Sequence, residues 1–128
     1  MKNIDYTVKT TKSFDVAVES VVSETEKAGF RVLYIHDVKE TLGKKGFEIE
    51  PLKIIEICNA KNAYNAIKND IRLALCLPCK INIYVNGGKT FISGMRLVMI
   101  KMAFPDLNID DLVKEVDTKI RAIVDKAK

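Results

Sequence analysis

The stretch "CKINIYVNGGKTFISG", residues 79–94, constrains the fold more than any other part of the chain. Asn86-Gly87 supplies the positive φ angles of a tight primed turn, and apolar and polar residues alternate on either side of it. This is a β-hairpin. Two consecutive strands joined by so short a turn must pair antiparallel, which excludes a purely parallel sheet.

The other elements follow from periodicity. Ile4, Tyr6 and Val8 alternate with Asp5, Thr7 and Lys9 as a half-buried first strand. Ser13 can cap a helix carrying Phe14, Ala17, Val18, Val21, Val22 and Ala28, and Gly29 is a suitable stop. In "FRVLYIHDV", Phe30, Val32 and Tyr34 share one face and Leu33 and Ile35 the other, so the second strand is expected at the centre of the sheet. A short helix from about Val38 and a polar loop lead to a third strand, "LKIIEICN". Asn59 then caps a helix whose apolar face reads Ala60, Ala63, Tyr64 and Ile67. The last helix carries one continuous stripe, from Ile109, Leu112, Val113 and Val116 to Ile120, Ile123, Val124 and Ala127. The fold class is α+β, a mostly antiparallel sheet with helices packed on one face, and residues 1–128 are expected to form a single domain. The two-sided second strand leaves apolar surface that a second copy could cover, so a homodimer is the expected assembly.

Composition narrows the class of function. Hydrophobic residues make up 48% and charged residues 30%, the mix of a globular protein. Nothing near the start resembles a signal peptide and no stretch is long enough to cross a bilayer, so no membrane role is expected. The net charge of +4 lies wholly in residues 65–128, but without a basic block or interleaved exposed aromatics, which argues against nucleic acid as a partner. Three cysteines, an odd number, suit free thiols in a reducing compartment, and a cytoplasmic location is expected.

Cys76 and Cys79 form a C-x-x-C. Redox pairs of this spacing sit at a helix start, whose dipole stabilises the thiolate. Here Pro78-Cys79 opens a strand, and Cys79 shares a face with Ile81, Ile83 and Val85, where a thiol acts as a small hydrophobe. Cys58 has the better claim on reactivity, because the Asn59-capped helix follows it. A zinc site would have to combine three cysteines with the lone His36 and lacks a second short-spaced ligand pair. Met95, Met99 and Met102 suit an irregular core better than copper(I). One histidine permits no Ser-His-Asp triad, and no glycine-rich phosphate loop is present. No cofactor and no catalytic residue are expected.

Together "YTVKTTKSFDVAVESV", "DVKETL" and "IIEICNAKNAYNAI" followed by "LCLPCKINIYV" resemble the family catalogued as domain of unknown function 302, over about residues 4–124. Cys58, Asn59, Ala63, Leu77, Pro78 and Cys79 fall on its pattern; Cys76 does not. Ala60 stands where the family usually has proline, and Arg96-Leu97 where an Asp-Pro commonly follows the last strand. The resemblance implies a small α+β protein of TATA-binding-protein-like topology that tends to dimerise, with no established reaction. The leading expectation is a non-enzymatic dimeric binding or interaction module, its small ligand or protein partner unidentified. The alternative is a thiol protein handling sulfur, redox equivalents or a soft metal through Cys58 and Cys79, with Asn59 beside them and Cys76 as a further candidate.

Overall fold

The computed structural model describes residues 4–128. In chain order the elements are β1 (Asp5–Thr10), α1 (Phe14–Lys27), β2 (Arg31–Asp37), α2 (Val38–Gly43), β3 (Leu52–Cys58) and α3 (Ala60–Asn69). A 3-10 segment (Ile71–Cys76), β4 (Cys79–Asn86), β5 (Lys89–Met95), α4 (Val98–Ala103) and α5 (Asp110–Ala127) complete the chain. The strands form one antiparallel sheet in the order β1-β5-β4-β3-β2. The fold is α+β, as the hairpin requires. Its turn is centred one residue later than expected: Asn86 still pairs with Lys89, and Gly87 and Gly88 hold the positive φ angles of 61° and 77°.

Strand alternation sends Ile55, Ile57, Ile81, Ile83 and Ile92 to one face, where they are fully buried against Ala17 and Val21 of α1 and Ile120, Ile123 and Val124 of α5. The Ser13 hydroxyl accepts from the Val16 N–H at 3.3 Å and starts α1 as the sequence predicts. Gly94 lets α5 approach β5. A Cβ there would lie 2.7 Å from Ile120 Cγ2 and 3.4 Å from Val124 Cγ2. Ile120 is β-branched and fully buried, so it cannot turn aside cheaply. Gly94→Ala should therefore cost about 1–3 kcal/mol in chemical denaturation, as overpacked cores do, and an unchanged midpoint would mean the helix shifts freely.

Two sequence expectations are corrected. First, β2 is an edge strand, not a central one. A bulge between Val32 and Tyr34 changes the alternation, so that Val32 and Ile35 face the helices while Tyr34 and His36 face away and Leu33 stays exposed. The apolar character on both faces reflects this bulge, not burial on both sides. Second, α3 buries Asn62 and Ala66 instead of its apolar stripe, leaving Tyr64 63% exposed and Ile67 exposed with it. Amide hydrogen bonds tie both of its ends to neighbouring segments. Asn59 Nδ2 donates to the Gly29 carbonyl at 3.2 Å, and Asn69 Nδ2 to the Asn108 carbonyl at 3.3 Å.

Candidate functional site

The two motif cysteines lie at adjoining ends of neighbouring strands, Cys58 closing β3 and Cys79 opening β4. Ile57 pairs with Cys79, so the two share the helix-covered face, while Cys58, one residue on and paired with Arg31, belongs to the opposite face. Cys79 is buried at the start of β4. Burial, with smaller contributions from the neighbouring Cys58 and Cys76, pushes its thiol up from 9.0 to about 11. Cys79 therefore stays protonated at neutral pH and is a poor nucleophile. His36 pairs with Ile54 and packs edge-on against Tyr34, with centroids 4.6 Å apart. It sits five residues along β2 from the partner of Cys58, about 17 Å away. No group of three His, Cys, Asp or Glu poised for a metal occurs among the described residues.

Asn59 does what a cap should. Its Oδ1 accepts from the Asn62 N–H at 3.1 Å while its Nδ2 ties the helix start to Gly29. Asn59→Ala should cost about 0.5–2 kcal/mol by urea unfolding; a neutral substitution would show that the tie to Gly29 carries nothing. For the thiols, alkylation at pH 7 followed by peptide mapping should leave Cys79 the slowest to react. Since the folded chain keeps the Cys79 proton to higher pH than the unfolded chain, its contribution is present below about pH 9 and is lost as pH rises toward about 11.

Cys76 proves better placed than the pattern of motifs suggests. It ends the 3-10 segment and, with Ile100, forms a wall shared by two cavities. The inner one, about 50 Å³, lies among Asn62, Leu73, Cys79, Leu97 and Val116. Asn62 is 93% buried by its 7% exposure, and its Nδ2 has no hydrogen-bond partner. The outer one is a cleft of about 460 Å³ on the face of the sheet opposite α1 and α5. Its floor is Asp5, Lys80, Asn82, Ser93 and Met95; its walls are the 3-10 segment on one side and α4 on the other. Lys80 and Asn82 were legible together as the polar side of β4, but nothing local announced the walls.

The Arg96-Leu97 departure has a structural role. Asp117, 8% exposed on α5, accepts from Arg96 Nε at 3.1 Å and from the Leu97 N–H at 2.9 Å, while Arg121 Nε lies 3.4 Å away. The ion pair pins the end of β5 to α5, just before α4 turns toward the cleft.

A family model described as "Domain of unknown function DUF302" matches residues 6–127. The chain belongs to the DUF302 family. Its fold agrees with the crystal structure of an uncharacterized conserved DUF302 protein from Bacillus stearothermophilus, with a TM-score of 0.94 and 24% identity over 99% of this chain and 100% of that one. No curated protein matches the chain. The DUF302 assignment thus carries the fold but names no reaction. No described helix is long and apolar enough to cross a membrane.

Proposed function

We propose that this DUF302 chain is a non-enzymatic binding module that works as a homodimer in the cytoplasm. The observation that carries this reading is the character of the sheet face opposite α1 and α5. An antiparallel sheet with one solvated face normally turns polar residues to water. Here Tyr84 and Phe91 stack at 5.4 Å with an interplanar angle of 20°, and Leu52 and Ile54 lie beside them on β3. At the β2 edge His36 pairs with Ile54 and packs edge-on against Tyr34. A contiguous apolar strip of this kind marks an association surface, and a second copy of the same strip is self-complementary about a two-fold axis.

The thiol alternative finds less support. Burial pushes the Cys79 thiol up, which removes it as an attacking group and leaves that role to Cys58 alone.

Light scattering tests the assembly. The expected mass is twice the 14.4 kDa of the chain, falling to the single-chain value for Tyr84→Glu combined with Phe91→Glu. A concentration-independent 14.4 kDa for the unaltered protein would overturn the dimer.

A further inference from the structure

The outer cleft lies on the same face as the apolar strip but toward the other end of β4, and its chemistry differs. Large apolar side chains surround it while remaining in water: Leu75 is 86% exposed, and Ile4 and Met95 are exposed beside it. Exposed apolar side chains clustered around one concavity mark a place where a ligand displaces water. The floor is polar and ordered by strand register. Asp5 pairs with Met95, and Lys80 precedes Ile81, which pairs with Gly94, so Lys80, Met95 and Asp5 make one row across β4, β5 and β1. The next row is Asn82, Ser93 and Thr7.

The first row ends in opposite charges two strand spacings apart, about 10 Å between backbones. Neither charge is neutralised by an ion pair among the described residues. The Lys80 ammonium makes only a long contact of 3.5 Å to the Pro78 carbonyl, although Glu56 stands across from it in register. The Asp5 carboxylate accepts from the Thr7 hydroxyl, an uncharged partner. In the second row Ser93 is bonded to Thr7 at 2.7 Å, but Asn82 Oδ1 is buried without a partner. A buried acceptor left unpaired costs stability, and a turn of the amide about its final torsion would offer it to a donor in the cleft.

We propose that this cleft binds a free α-amino acid with an apolar side chain. The carboxylate lies at Lys80, the ammonium at Asp5 with an N–H available for Asn82, and the side chain against Leu75, Met99 and Ile100. The two backbones stand about 10 Å apart across β4, β5 and β1, a span that the Lys80 and Asp5 side chains can bridge through one amino acid with an ion pair at each end. A fatty acid would set its carboxylate or its tail against the Asp5 charge, and a phosphate ester finds a single cation. The small cavity behind Cys76 and Ile100 provides room for the side chain to push the shared wall inward.

Calorimetric titration of the full-length protein with L-leucine, L-methionine and L-phenylalanine tests the proposal. Saturable binding is expected for at least one of them. Its deaminated and its decarboxylated analogues (4-methylpentanoate and 3-methylbutylamine for leucine) should each bind at least about tenfold more weakly, the scale of one lost charge-assisted hydrogen bond. Lys80→Gln and Asp5→Asn, both at exposed positions, should each weaken binding by about as much while the circular dichroism spectrum and unfolding midpoint stay unchanged. No saturable heat with any of the three up to about 10 mM, a concentration that would reveal even millimolar affinity, would overturn it. So would equal binding of leucine and 4-methylpentanoate, or binding indifferent to both substitutions. Light scattering on the same samples keeps this result separate from the dimer, since a monomer that binds leucine would remove the assembly and leave the site.

Discussion

Asp117→Ala is expected to destabilise the protein by about 3–5 kcal/mol in urea-induced unfolding, because it removes one partner of a buried charge pair. The Asp117 carboxylate holds Arg96 Nε by both oxygens, at 3.1 and 3.3 Å, and also caps the Leu97 N–H. Without it the Leu97 amide loses its acceptor in the interior and the Arg96 charge loses its counterion. Arg96 retains 29% of its side-chain exposure, so water can recover part of the loss and the lower end of the range is expected. Asp117→Asn should cost less, since an amide oxygen still serves Leu97. A loss below about 0.5 kcal/mol for the alanine variant, the scale of an ordinary surface substitution, would mean that the end of β5 is held by packing alone.

Ile83→Ala should cost about 2–5 kcal/mol. Ile83 is fully buried, paired with Lys53 on β3 and Ile92 on β5, and lies beneath the helix layer. Truncation leaves a void bounded by stiff β-branched neighbours, which relax little, and the cost rises with the void that remains. A loss under about 0.5 kcal/mol would show that α1 and α5 close over the gap.

Both expected effects bear on how far local pattern can be trusted. The face of β4 that holds Ile83 was readable, because alternation along a strand is a local rule and Cys79, Ile81 and Ile83 obey it. The same rule places Cys79 among hydrophobes, and the structure shows it buried there, where desolvation pushes its thiol up. On β2 the rule failed at one residue. The bulge after Val32 is decided by its pairing with β3, and a single inserted residue changes which side chains share a face. On α3 the apolar stripe was real, but Tyr64 and Ile67 stay exposed and the helix seats Asn62 and Ala66 against the rest of the protein.

The antiparallel hairpin, the two long helices, the Ser13 and Asn59 caps and the apolar face of β4 depend on neighbours in the chain, and the sequence determined them by itself. The strand order, the separation of Cys58 from Cys79 onto opposite faces, and the ion pair between Arg96 and Asp117 were decided only by tertiary structure. So was the cleft. Its floor comes from β1, β4 and β5 and its walls from two short segments, the 3-10 segment and α4, that have no periodicity strong enough to announce which side of the sheet they occupy. The physical reason is range: alternation and capping act over two to four residues, whereas Asp5 and Lys80 are brought into one row by hydrogen bonds between strands that lie far apart in the chain.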